Sequence, residues 1–203
     1  MTEQVAERDT RFFTDWLRAA AEAVAAEEDR LTELDSAIGD ADHGSNMRRG
    51  FTAVVAALDA DPPGSPREVL LLAGRTLVAT VGGASGPLFG ILLRAAGQAL
   101  GEAERVTDQE LRTALSAGVA AVGRLGGAAA GDKTMLDALL PATAALPDYA
   151  AADRAARDGA AGTVPLRAHK GRASYLGERS VGHEDPGAAS AALLVGALTR
   201  VSR

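Results

Sequence analysis

The residues best suited to chemistry lie in one stretch, Asp35-Ser36-Ala37-Ile38-Gly39-Asp40-Ala41-Asp42-His43-Gly44-Ser45-Asn46. Three carboxylates sit there at i, i+5 and i+7. On one continuous helix Asp35 and Asp42 share a face but Asp40 does not, because side chains three, four or seven apart align. The spacing instead predicts that Asp35 ends a helix. Asp40 and Asp42 then lie two apart on extended backbone and point the same way. Gly39 and Gly44 allow the bends that gather all three. Carboxylates this close repel one another and call for a cation. An all-oxygen ligand set without cysteine favours a hard ion such as Mg²⁺, which keeps positions open for water and phosphate oxygens. His43 to Asn46 start the next helix, and a helix N-terminus accepts anions. The same stretch also reads as an acidic, solvated loop in which Ser45 or Asn46 caps the helix. An EF-hand is excluded, because Asn46 stands where that loop needs a bidentate Glu.

Composition narrows the class. The chain has 203 residues and no Pro/Ser-rich linker, which predicts a single domain over 1–203. Aromatics are only 3% of residues while 23 are glycine, so helices can approach closely and Leu and Val fill the core. The absence of cysteine excludes disulfides and thiolate metal sites. A net charge of −6 argues against nucleic acid as a partner. No apolar run is long enough for a bilayer, and the polar start MTEQVAERDT lacks a signal core, so a cytoplasmic protein is expected.

Helical spacing positions the aspartate stretch. Residues 3–28 carry Phe12, Phe13, Trp16, Leu17, Ala20 and Val24 on one stripe, and 28–36 continue or restart that helix. Further helices are predicted over 45–58, 66–81, 87–100, 107–125, 132–146 with a kink at Pro141, 148–167, and 187–201. Ser65-Pro66-Arg67-Glu68 and Thr107-Asp108-Gln109-Glu110 have the pattern of capping boxes. This makes about eight helices and no strand, an all-α fold. Gly82-Gly83-Ala84-Ser85-Gly86-Pro87 reads either as an ordinary helix turn or as a loop bringing amides close to a phosphate or adenine. Gly126 to Thr134 nearly spells a P-loop, but Asp132 separates Gly131 from Lys133 and a helix, not a strand, precedes it. The P-loop is rejected, but the stretch still reads as a nucleotide-contacting turn in which Asp132 caps the next helix. The loop 168–187 carries His169, Lys170, Arg172, Arg179 and His183. It suits phosphate, or is a solvated basic turn. In an up-and-down array these loops share one rim.

Four stretches, LDSAIGDADHGSNM at 34–47, GGASGPLFG at 82–90, GDKTMLDALLPA at 131–142 and GRASYLGERSVGHEDPGA at 171–188, together resemble the nucleotide-binding L subunit of dihydroxyacetone kinase. They occur in that family's order over most of the chain. The resemblance implies an eight-helix antiparallel barrel with a nucleotide, ADP or ATP, and two Mg²⁺ at one rim. Asp35, Asp40 and Asp42 would ligate the metal. His43, Gly44, Ser45 and Asn46 would meet phosphates, and Ala84, Ser85, Gly126, Met135, Arg172, Asp185, Pro186 and Gly187 would surround the nucleotide. No general base is assigned within the chain. A separate K subunit would hold dihydroxyacetone. In one branch of the family a phosphohistidine protein, M, recharges bound ADP; in the other, ATP is an ordinary substrate. Alternatives are a subunit of a kinase for another small keto sugar and a nucleotide-binding module that controls a transcription regulator. A homodimer is the expected assembly.

Overall fold

The computed structural model of the protein describes residues 6–202. Among them are nine α-helices, one 3₁₀ segment and a two-stranded ribbon. Helix α1 (Thr10–Ala26) starts where the Asp9 side chain accepts the N–H of Phe12, and buries Phe12, Phe13, Trp16, Leu17, Ala20, Ala23 and Val24. The chain breaks at Glu27 and restarts as α2 (Glu28–Ile38). Helix α3 (His43–Ala60) follows the aspartate turn. Helix α4 (Pro66–Thr80) is capped by Ser65, which accepts from Glu68 N–H, while the Glu68 carboxylate accepts from Gly64 N–H at 2.7 Å. That reciprocal bond falls one residue earlier than a capping box places it. Helix α5 (Ser85–Leu100) leads to α6 (Asp108–Gly126), where Thr107 and Glu110 form the full capping box. Helices α7 (Leu136–Ala145), α8 (Tyr149–Ala161) and α9 (Pro186–Val201) complete the set.

Eight of these helices close a ring. In chain order α1, α3, α4, α5, α6, α7, α8 and α9 each pack on the next, and α9 returns to α1. Short α2 lies outside the ring, against α3 and α9. Trp16 Nε1 donates to Leu194 O at 2.8 Å and so locks the closing pair. One contiguous apolar cluster fills the centre, with Phe13, Leu17, Met47, Leu70, Leu77, Leu93, Leu139 and Leu198 among its members. Each such side chain contributes about 1.5–3 kcal/mol by leaving water. Helices α4 and α5 meet almost backbone to backbone: a Cβ on Gly74 would lie 2.7 Å from Gly90 O, and one on Gly90 would lie 2.9 Å from Gly74 O. Glycine is required at that crossing by space. Among the described residues no helix is long and apolar enough to cross a membrane.

The structure corrects several expected boundaries. Residues 7–9 are strand β1 (Glu7–Asp9), paired antiparallel with β2 (Arg105–Thr107), so α1 starts at Thr10 and the expected strand-free fold has one short ribbon. Residues 3–5 of the predicted first helix lie outside the described residues. Helix α7 starts at Leu136 instead of 132, because the Asp137 carboxylate accepts the N–H groups of Gly131 (2.5 Å) and Thr134 (2.8 Å) and holds 131–134 as a turn. Helix α8 stops at Ala161 instead of about 167. The loop 168–187 contains the 3₁₀ segment Arg172–Ser180.

Candidate functional site

Asp35 is in the last turn of α2 and is buried. Its Oδ2 accepts the N–H of Asp42 at 2.9 Å and of His43 at 3.2 Å, so this carboxylate anchors the start of α3. A Cβ on Gly39 would lie 2.0 Å from Asp35 Oδ1. Only glycine leaves that oxygen room. Ala41 lies between the two exposed aspartates with φ of 62°. The segment from Asp40 to Asp42 is therefore a left-handed turn and not the extended pair expected from spacing. The turn still succeeds in gathering the carboxylates. One oxygen from each of Asp35, Asp40 and Asp42 lies within 4.8 Å of the others. Among the described residues no donor reaches Asp35 Oδ1, and the other two aspartates are exposed. This all-oxygen set suits a hard divalent cation that retains open positions.

The cluster borders a cleft of about 500 Å³, within the range of small-molecule sites. Around it stand the ends of α2 and α6, the starts of α3, α5 and α9, the 131–135 turn and the 3₁₀ segment. Its lining is mixed: the three aspartates, Asn46, Ser85, Lys170, Arg172 and Asp185 are polar, and Leu88, Val122, Leu125, Met135 and Leu136 are apolar. Arg172 Nη1 lies 3.0 Å from Asp40 Oδ2 and ties the 3₁₀ segment to the carboxylates.

Of the residues expected at the site, Asp35, Asp40, Asp42, His43, Asn46, Ala84, Ser85, Gly126, Met135, Arg172, Asp185, Pro186 and Gly187 all line this cleft. Gly44 and Ser45 do not line it. Gly44 is buried against α2, where a Cβ would lie 2.1 Å from Glu28 O. Ser45 is exposed and its Oγ donates to Asp42 O at 3.0 Å. The ring of His43 is turned inward, with Nε2 3.0 Å from Ser190 Oγ and Nδ1 3.2 Å from Ser85 Oγ. Burial lowers its pKa, partly offset by the charges of Asp35 and Asp42. The ring thus braces α3, α5 and α9 together.

Asp185 caps α9: its Oδ2 accepts from Ala188 N–H at 2.8 Å, and its own N–H donates to Thr163 Oγ1 at 2.9 Å. It keeps part of its surface open to the cleft, yet desolvation pushes its carboxyl up to about 7, against the pull of the Ala188 N–H and the Lys133 charge.

Sequence reasoning missed Leu88, Val122, Leu125 and Lys133 as cleft residues. Leu125, at the glycine-terminated end of α6, is 56% exposed. A large apolar residue at such a helix end was the available signal. Lys133 gave none. It is buried with φ of 62°, and its Nζ donates to Thr163 O (2.8 Å), Leu166 O (3.1 Å) and His183 O. Of the five cationic candidates in 168–187, Lys170 and Arg172 reach the cleft, while His169 faces Asp132 at 3.2 Å. Arg179 and His183 do not line it.

Residues 37–200 match the DAK2 domain. The chain belongs to the DAK2 domain family. Similar proteins include stand-alone subunits and longer kinases. The PEP-dependent dihydroxyacetone kinase ADP-binding subunit of Escherichia coli is 42% identical over 187 residues, covering 87% of this chain and 89% of its own. The ADP-binding subunit of PEP-dependent dihydroxyacetone kinase 1 from Listeria innocua is 41% identical over 183 residues, covering 90% of this chain and 92% of its own. L-erythrulose 1-kinase of Mycolicibacterium smegmatis is 42% identical over 182 residues, but that stretch is only 32% of its length against 84% of this chain. In three dimensions this DAK2 chain is similar to the C. freundii dihydroxyacetone kinase solved with AMP-PNP and Mg²⁺, with a TM-score of 0.74, 28% identity, and coverage of 97% of this chain and 35% of that one.

Proposed function

We propose that this chain is the nucleotide-binding subunit of a dihydroxyacetone-type kinase, a phosphotransferase active only with a partner that holds the sugar. The carrying observation is the gathered carboxylate trio in a cleft whose lining also includes large apolar side chains. A nucleoside diphosphate or triphosphate has that polarity: an apolar base and a charged, metal-binding phosphate chain. The similarity to an ADP-binding subunit and to a kinase solved with AMP-PNP and Mg²⁺ supports the reading.

The chain's residues fit that ligand. Asp35, Asp40 and Asp42 would hold Mg²⁺, two ions in our reading. Bound there, the metal supplies charge neutralisation at the phosphate oxygens. Arg172 is close enough to Asp40 to add cationic charge at the same place. Leu88, Val122, Leu125 and Met135 offer the base a dry surface. Phosphoryl transfer depends on placement and electrostatics more than on covalent chemistry from the protein, so we assign no general base here. We further infer that the partner is a K-type sugar-binding subunit and that a phosphohistidine M protein recharges bound ADP. The matches to PEP-dependent subunits along 89% and 92% of their own lengths support this. We place the protein in the cytoplasm as one domain, assembled as a homodimer. Identity to an L-erythrulose kinase favours a second reading, in which the sugar is another small ketose chosen by the partner.

The test is mass analysis of nucleotide carried through purification in Mg²⁺. Stoichiometric ADP is the expected result. A chain that neither retains nor binds added ADP or ATP would end the proposal.

A further inference from the structure

Asn46 lines the cleft in the first turn of α3, with the face of its amide against Gly82. Oxygen and nitrogen of such an amide are distinguished only by their partners. Here the partner decides. Arg49 Nη2 lies 2.6 Å from Asn46 Oδ1. A guanidinium has only donors, so it can be met only by the amide oxygen. The Nδ2 group then has no acceptor among the described residues and presents two N–H donors at the cleft. The same guanidinium is itself fixed. Arg49 Nε donates to Thr80 O at 2.9 Å, one of the carbonyls that the end of α4 leaves without a helical partner. A cation is also favoured at that helix end. The loop that follows contributes Gly82, Gly83 and Ala84 to the lining of the cleft.

We propose that Arg49, which does not line the cleft, is a positioning residue. It sets the polarity of the Asn46 amide so that Nδ2 donates to a phosphate oxygen of the nucleotide, and it holds the end of α4 in register with that amide. This rests on the nucleotide reading given above. A charge-assisted bond from Arg49 polarises the Asn46 amide, which strengthens donation from Nδ2. Without Arg49 the amide is free to flip and offer an oxygen to an anion, which is repulsive. The dependence belongs to the phosphates, since the Asn46 N–H donates to Asp42 O at 2.9 Å, beside the carboxylate cluster.

The experiment is a double-mutant cycle on the full chain, read by calorimetric titration with Mg·ADP and, separately, adenosine. Arg49→Met is expected to weaken Mg·ADP about tenfold and adenosine less than twofold. In an Asn46→Ala background, Arg49→Met should change Mg·ADP affinity less than twofold. Arg49→Lys, which can satisfy one of the two acceptors at a time, should lie between wild type and Arg49→Met, and it carries the same comparison if Arg49→Met does not fold. Equal losses in both backgrounds, or equal losses for Mg·ADP and adenosine, would overturn the positioning role and leave only a structural one. A wild-type chain that bound no Mg·ADP would instead remove the function on which the role depends.

Discussion

Asp42→Asn should make the empty protein more stable while removing its response to ligand. One oxygen from each of Asp35, Asp40 and Asp42 lies within 4.8 Å of the others. At about that separation a pair of like charges repels by roughly 1 kcal/mol in a water-like dielectric. Asp42→Asn removes two of the three repulsions, about 2 kcal/mol before salt screening. The Asp42 side chain makes no capping bond to α3, and the bond to Asp35 comes from the backbone N–H of Asp42, so the substitution removes no helix contact. In a chain of this size each kcal/mol moves the melting temperature by about 2–4 °C. The metal-free variant should therefore melt about 2–4 °C higher at low salt once screening is allowed for, and the gain should shrink in high salt. Wild type with Mg·ADP at about 100 times Kd gains about 2.7 kcal/mol by mass action; the variant should gain almost none. Differential scanning calorimetry with and without Mg²⁺ and ADP reads both effects. An apo variant less stable than wild type, with an undiminished ligand shift, would refute the reasoning.

Three further expectations come from individual residues. Gly44→Ala should destabilise the fold by about 1–3 kcal/mol in denaturant titration, because a Cβ there would lie 2.1 Å from Glu28 O and force α2 from α3. Lys133→Met should lower stability by about 3 kcal/mol or more, since one buried ammonium satisfies the carbonyls of Thr163, Leu166 and His183 and their loss leaves several acceptors unmet; a loss below about 1 kcal/mol would contradict that view. Asp185 is raised to about 7 by burial, so the folded state holds its proton more tightly than the unfolded chain, and wild type should lose stability as pH rises from about 4 to 7, by up to about 1.4 kcal/mol per pH unit from this one group. Asp185→Asn keeps a competent helix cap and should flatten that slope in melts across the same pH range; an unchanged slope would assign it to other groups.

Much of the site was legible because its chemistry is local in sequence. Asp35, Asp40 and Asp42 fall within eight positions, and glycines mark where the backbone turns. The apolar stripe of Phe13, Trp16, Leu17 and Val24 named the buried face of α1 correctly. What stayed hidden depends on contacts distant in sequence. The left-handed turn at Ala41 is held by the bonds from Asp42 and His43 N–H to Asp35, and alanine carries no mark of it. Lys133 looks like a surface lysine until residues 163, 166 and 183 fold over it. The inward ring of His43 requires Ser190, 147 residues away. The ribbon of Glu7–Asp9 with Arg105–Thr107 is three residues long on each side, too short to leave an alternating pattern. The late start of α7 follows from Asp137 reaching back to Gly131, a bond that helical spacing does not reveal.

The central claim is that this chain supplies half of a phosphoryl-transfer site. Three carboxylates stand in a cleft that also offers apolar side chains, enough for the nucleotide and its metal. Correct placement of two reactants accounts for up to about 7–11 kcal/mol of such a barrier in favourable cases, so an unheld sugar should react negligibly. The direct measurement mixes the purified chain with Mg·ATP and dihydroxyacetone, with and without a K-type sugar-binding subunit, and follows dihydroxyacetone phosphate. Product should form only when both proteins are present. Robust turnover by the isolated chain would contradict the half-site.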